Sequence, residues 1–319
     1  MNEAPGVAVA NPPIATDVSW GRPDRRRTLQ LALAALWFLD AVLQLQPFMF
    51  TRSFGQLMLG PTARGNPGAI AHSITDISRS IGHHSVGANT VFVLVQFLIA
   101  FGIAYRPTVR LALAGSVVWS LMVWWLGEGL GGVLAGTASP LTGAPGAVVL
   151  YAVLAVLLWP TDRGPTEAPF TAARPVGIRA AKVVWFAIWA TMAAVGLFGS
   201  PTRHPSNLLS GMGAGEPGWL AALNHHAADL VAGRGPMVAV IVGLVLVGVA
   251  LGVFLPAVPA RALVAVAVVV GLAVWVVGED FGTIFSRSAT DPNSGPLLVL
   301  LAVAYWPIRH AAPGPVAAG

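Results

Sequence analysis

In 319 residues, hydrophobic types make up 55% and charged types 10%, for a mean hydropathy of +0.73, which excludes an ordinary soluble globular domain. A formal net charge of +5 and a pI near 10.7 would suit nucleic acid, but the basic residues fall between apolar runs, so no nucleic-acid partner is expected. There is no cysteine, which excludes disulfides, thiol redox chemistry and cysteine-ligated metals.

Residues 1–27 are Pro-rich and polar and end in RPDRRR. They read as a disordered cytoplasmic tail anchored at the anionic inner leaflet, with no cleavable signal peptide. Eight apolar runs follow, at 28–50, 88–105, 108–127, 145–159, 179–199, 236–255, 259–278 and 296–308. About 20 apolar residues cross a bilayer core, and shorter runs need thinning or burial by neighbours. The runs are continuous and lack two-residue alternation, which excludes a β-barrel.

The expected fold is therefore all-α, a polytopic membrane protein with eight transmembrane helices. Repeat 1 covers 28–160, a cytoplasmic linker 161–176, repeat 2 177–309, and a short cytoplasmic tail 310–319. On eight spans, one side of the membrane holds Arg22, Arg25, Arg26, Arg27, Arg106, Arg110, Arg163, Arg174, Arg179, Lys182, Arg261 and Arg309. The other holds Arg52, Arg64, Arg79, Arg203, Arg234 and Arg287. That imbalance puts both termini in the cytoplasm of a bacterial-type inner (plasma) membrane.

The two repeats rest on a duplicated stretch. GEGLGG at 127–132 returns as GEDFGT at 278–283, with Glu128 matching Glu279 at a spacing of 151 residues. At the same spacing Arg110 matches Arg261, Trp124 matches Trp275, Ala138 matches Ala289 and Pro145 matches Pro296. NPGA before the second span matches EPGW before the sixth, at a spacing of 150. Four spans per repeat give both halves one orientation, so the expected symmetry is parallel, about an axis along the membrane normal.

Along the chain, span 1 carries one acid, Asp40, within LALAALWFLDAVLQLQPF. A carboxyl inside a membrane is costly, and it is either functional or protonated and packed against another helix. Its match in repeat 2 is Ile188, so only one half uses it. Segment 51–86 does not span, and AIAHSITDISRSIGHH reads as an amphipathic helix on the outer surface. Six of the seven histidines fall on that side. His72 with Asp76, and His225 with Asp229, form His-x-x-x-Asp pairs on one helix face. Each pair is either half of an outer divalent-metal site, suited to Zn²⁺ or Cu²⁺, or a solvated surface pair. No nucleotide or organic-cofactor motif is present.

Glu128 and Glu279 are the strongest functional candidates. In each half a long span ends in Gly-Glu, and a Gly-interrupted apolar stretch and a short span follow. Such paired interruptions mark a site at a repeat interface. Gly131 and Gly282 would let the chain turn back, and each carboxylate would bind a cation or carry a proton. In the alternative, each Glu caps its loop, pairs with an outer Arg, or accepts bonds from loop amides. Asn293 or Ser294 is the expected cap of span 8, with Pro296 in its first turn.

The function expected from these residues is transport or permeation of a small solute or ion through a polar site between the repeats. The alternative is a non-catalytic accessory or scaffold subunit of a membrane complex, respiratory or export, with other membrane subunits as partners besides the lipid bilayer. No catalytic constellation is visible. The WxxGExxG element in two four-span halves resembles bacterial multi-pass membrane proteins that carry it duplicated. Each half, with its aromatic-rich first span WFLDAVLQLQPF, outer segment and three further spans, resembles the DoxX-like four-helix membrane proteins. That resemblance implies membrane redox partners, often thiol-linked, whereas this chain has no thiol of its own.

Overall fold

The computed structural model describes residues 24–161, 168–199, 201, 204–212 and 215–308. Of the tails expected at 1–27 and 310–319, residues 1–23 and 310–319 lie outside the described residues, as does 162–167 of the linker, whereas residues 25–27 open the first helix. Regular structure among the described residues is helical throughout.

Helix α1 (Arg25–Leu43) is followed by short 3-10 and π-helical turns between Pro47 and Ala63 and then by α2 (Gly68–His83). Next come α3 (Ser85–Ala104), α4 (Val109–Leu126), an irregular loop at 127–146 and α5 (Ala147–Leu157). The second half runs through α6 (Ala173–Val176), α7 (Ile178–Phe198), α8 (Pro205–Met212) and α9 (Gly218–Val231). It ends with α10 (Gly235–Gly252), α11 (Ala257–Ala273), a π-helical turn at Val274–Gly278, the loop 279–293 and α12 (Ser294–Ala304).

Partnerships recur in order. α1 packs on α3, α3 on α4 and α4 on α5; likewise α7 packs on α10, α10 on α11 and α11 on α12. The two series meet where α5 packs on α12. Five segments are long and apolar enough to cross a membrane: Ser85–Ala104, Arg106–Leu126, Ile178–Phe198, Gly235–Gly252 and Ala257–Gly278. Their outward faces carry exposed apolar residues, among them Leu98, Phe101, Leu111, Val118, Leu244 and Val269. Water would reject that surface and lipid accepts it, so this is the helix set of a membrane protein.

The short runs expected as spans 4 and 8 become helices of 11 residues, about 16 Å long, roughly half a bilayer core. Both are enclosed by protein. Eight residues of α5 are buried, including Leu150, Tyr151 and Leu154, and eight of α12, including Leu297, Leu298 and Leu301. They are apolar all round because neighbours surround them.

The basic cluster at the start of α1 does more than face a leaflet. Asp24 accepts the Arg26 amide at 3.1 Å, and the Arg174 guanidinium pairs with Asp24 at 3.3 Å. Arg27 donates to the Ile103 carbonyl at 2.8 Å and to that of Ala104, which closes the C-terminal end of α3 with positive charge. The linker is not a simple tether either. Phe170 stacks on Tyr305 and the Ala172 amide donates to the Ala304 carbonyl at 3.0 Å, fixing 168–174 against the end of α12.

In both halves a glycine closes the hairpin that follows the outer segment. A Cβ on Gly102 would lie 2.7 Å from that of Ala112, and one on Gly252 would lie 2.6 Å from that of Leu263. Gly87, in the same helix as Gly102, has open space at its Cβ position. Gly102→Ala is expected to destabilise the detergent-solubilised protein by about 1–3 kcal/mol through overpacking. Gly87→Ala is expected to be neutral or stabilising by up to about 1 kcal/mol through helix propensity. Thermal unfolding of both variants in one detergent checks the opposite signs.

Candidate functional site

Trp37 and Asp40 of α1, with Gln44 at its C-cap, follow helical spacing and form one wall of a cavity of about 500 Å³. α2 and the turns before it supply Phe54, Met58, Ile77 and Ile81; α3 and α4 supply Phe92, Gln96, Trp119 and Met122. Glu128 and Gly131 come from the loop after α4, and Ala147, Val148 and Tyr151 from α5. The second half reaches over to contribute Thr290, Asp291 and Asn293. The walls are mainly apolar. Three carboxyl groups line them, and among the described lining residues there is no Lys, Arg or His.

Asp40 is 2% exposed and accepts the Tyr151 hydroxyl at 2.9 Å on Oδ1. Tyr151 lies on Trp37 with ring centroids 4.3 Å apart, and the Trp37 indole donates to Ser116 Oγ at 3.1 Å. One turn on, Gln44 donates to Asn89 Oδ1 at 2.6 Å and its carbonyl accepts from Asn89 Nδ2 at 2.9 Å. These bonds fix α1 against α3, α4 and α5. Asp40 is thus internally hydrogen-bonded and packed against another helix, and it also lines a cavity.

Glu128 and Glu279 share one device. Glu128 Oε1 accepts the Val148 amide at 3.1 Å, in the first turn of α5. Glu279 accepts the Ser294 amide at 3.2 Å, the Ser294 hydroxyl, and the Gly295 amide at 2.9 Å, in the first turn of α12. A buried helix start leaves amides without partners and carries partial positive charge, and a carboxylate answers both. Asn293 also caps α12, accepting the Ser294 amide at 2.9 Å, as expected from its position.

The two glutamates then part. Glu279 is buried with both oxygens bonded, and it does not line the cavity. Glu128 lines it, and its Oε2 is buried without a hydrogen-bond partner. Both reach one turn of the first loop: a Cβ on Gly143 would meet Glu279 Oε1, and one on Gly146 would meet Glu128 Oε2. The cavity is therefore a feature of the first half, roofed by the second, where the sequence suggested a site shared by the two halves.

Gly131 (φ +62°) and Gly282 (φ +74°) hold left-handed turns beside these carboxylates. A Cβ on Gly131 would run into the Pro145 carbonyl, and one on Gly282 would lie 2.5–2.7 Å from the Pro292 backbone. They are the points where each loop turns back, as expected. His72 and Asp76 are exposed on α2, where Asp76 pairs with Arg79 at 3.2 Å, and His225 and Asp229 are exposed on α9. Among the described residues no three His, Cys, Asp or Glu side chains gather into a metal-binding group.

Sequence reasoning passed over Asp291 and Tyr151. Asp291 sits in the stretch between the second Gly-Glu turn and span 8. Its carboxyl accepts the Thr290 hydroxyl at 2.8 Å and the Asn293 amide at 2.7 Å, which directs it inward. The signal for Tyr151 was a lone hydroxyl in an otherwise apolar short helix.

Burial pushes the Glu128 carboxyl up to about 8, with the Asp291 charge adding to it and the α5 amides opposing. Glu279 rises to about 7, burial outweighing its bonds to Ser294 and Gly295. Both stand above the ordinary 4.5, so the folded protein holds protons that the unfolded chain releases. That stability is fully present below about 4.5 and is lost as pH rises through 7 to 8. The melting temperature is therefore expected to fall between pH 5 and pH 8.5, and Glu128→Gln to flatten the fall. Melting curves across that range check the slope. Comparison with protein-family models, curated proteins and solved structures finds no match to this chain.

Proposed function

We propose that the chain is an eight-span plasma-membrane protein of two parallel repeats, with both termini cytoplasmic, whose first half binds and passes a small apolar solute bearing positive charge. Recurrence of the same helix partnerships supports the repeats. The loops 127–146 and 279–293 would bring the short helices α5 and α12 to crossing length; with α1 and the five long apolar segments they make eight spans and keep the halves parallel. The distribution of arginines supports the orientation.

The observation that carries the solute reading is the cavity: about 500 Å³, apolar walls, three carboxyl groups and no lining cation. A pocket of this size suits a small organic molecule, with a few polar groups fixing its orientation. In a dry apolar site a carboxylate attracts a cation far more strongly than it would in water. Without the solute, Glu128 holds a proton at neutral pH. Arrival of a cation favours the ionised form, so binding would release protons, the elementary step of proton-coupled exchange. Asp40 and Glu128 are the counter-charges, Tyr151 orients Asp40, and Glu279 is a structural cap.

Tetraphenylphosphonium is a suitable probe, followed by quenching of Trp37 and Trp119 in purified protein. Saturable binding is expected, weakened at least tenfold by Asp40→Asn or Glu128→Gln and unchanged by Glu279→Gln in protein that remains folded. Absence of saturable binding, or equal effects of Glu128→Gln and Glu279→Gln, contradicts the reading. The accessory reading draws on the saturated Glu279 and expects both Glu→Gln variants to be silent in function. Both readings expect Gly131→Val and Gly282→Val to lose folded yield in expression trials.

A further inference from the structure

The second half departs from the first at three matched positions that meet in space. Asn66, Ile74 and Gly129 of the first half correspond to Glu216, Asn224 and Asp280 of the second, at spacings of 150, 150 and 151 residues. In the first half two of these positions adjoin: a Cβ on Gly129 would lie 2.9 Å from Asn66 Nδ2. The first half is neutral there, and the second carries two acids and an amide.

Asp280 is 1% exposed and Asn224 fully buried, and Asn224 Nδ2 donates to Asp280 Oδ1 at 2.5 Å. What remains is three buried oxygens without a partner: Asp280 Oδ2, Asn224 Oδ1 and Glu216 Oε2. All three are acceptors. A buried acceptor without a donor is costly, and neighbouring acceptors cannot satisfy one another. Burial, and after it the Asp280 charge, holds the Glu216 carboxyl above its ordinary range, so the two acids feel each other.

The backbone gives a second reason to assign this carboxylate a role. Asp280 has φ +47°, and Phe281 (φ +58°) and Thr283 (φ +53°) share the left-handed region with Gly282. The first half uses Gly129 (φ +55°) where the second places Asp280. A side chain at that angle is strained, and such strain persists where the side chain does something.

We propose that Glu216, Asn224 and Asp280 bind a hard divalent cation of the calcium class, clamping α9 to the loop that begins at Glu279. The donor set is oxygen only, with two negative charges, which suits Ca²⁺ and disfavours Zn²⁺ or Cu²⁺. Backbone carbonyls and water would complete the ligand shell. The site is separate from the cavity of the first half and from the exposed His72–Asp76 and His225–Asp229 pairs. It stands whether or not the solute reading holds.

The test uses the full chain, purified without a polyhistidine tag and stripped with EDTA. Trp275 packs on Phe281 at 5.1 Å and Trp219 at 6.1 Å, so indole rings flank the residue after Asp280. Tb³⁺ bound there is expected to show tryptophan-sensitised luminescence that Ca²⁺ displaces, and Ca²⁺ is expected to raise the melting temperature. Glu216→Gln and Asp280→Asn are expected to weaken Ca²⁺ binding at least tenfold, and Asp76→Asn and Asp229→Asn to leave it unchanged. If Asp280→Asn does not fold, Glu216→Gln alone decides, since that side chain is only partly enclosed. No saturable Ca²⁺ binding at millimolar concentration overturns the proposal, as do undiminished binding by Glu216→Gln and equal loss in the exposed-acid variants. The first of these outcomes would leave Glu216 and Asp280 as acids that share a proton.

Discussion

Two short helices begin inside the protein, and the carboxylates that receive their first amides are the constraint on which the rest depends. An isolated helix of 11 residues is marginal, and a buried start leaves unsatisfied N–H groups that water cannot reach. Glu128 and Glu279 satisfy them through the Val148, Ser294 and Gly295 amides. The loops must then bring each Glu from the end of a long helix to the start of the next one. That accounts for the left-handed turns at Gly131 and Gly282, which press against Pro145 and Pro292. With their starts capped, α5 and α12 pack on one another at the centre.

On the proposed reading of two repeats, the halves diverge around this shared device. In the first, α1 supplies Asp40 and Tyr151 answers it from α5, beside a cavity that Glu128 also lines. In the second, Ile188 stands at the position matched to Asp40, and the loop after Glu279 gathers Trp219, Trp275, Phe281 and Phe285 into an edge-on aromatic cluster. One half is open and acidic inside; the other is braced. On the proposed reading the braced half holds Asp291 over the cavity of the open one.

The long apolar runs were legible because lipid-exposed helices must be apolar along their whole length. The matched Gly-Glu stretches were legible because in each the glutamate caps the short helix that follows and a glycine holds the turn. The capping role of the glutamates was present as an alternative, but the difference between them was not. It depends on Ser294, 15 residues after Glu279, supplying a hydroxyl that the Glu128 surroundings lack, and on the Gly295 amide reaching the second Glu279 oxygen. Nor did the sequence place the cavity in one half, because it is closed by Asp291, far along the chain from Asp40. The basic cluster at 25–27 read as a leaflet anchor, and its bonds to the end of α3 depend on tertiary approach.

The central claim is that Glu128 serves the cavity it lines while Glu279 is committed to its helix. Infrared difference spectroscopy on tetraphenylphosphonium binding at neutral pH tests this most directly. The account predicts loss of a protonated-carboxyl band in the wild type and in Glu279→Gln, and no such change in Glu128→Gln. A carboxyl band lost in Glu128→Gln and retained in Glu279→Gln would contradict it.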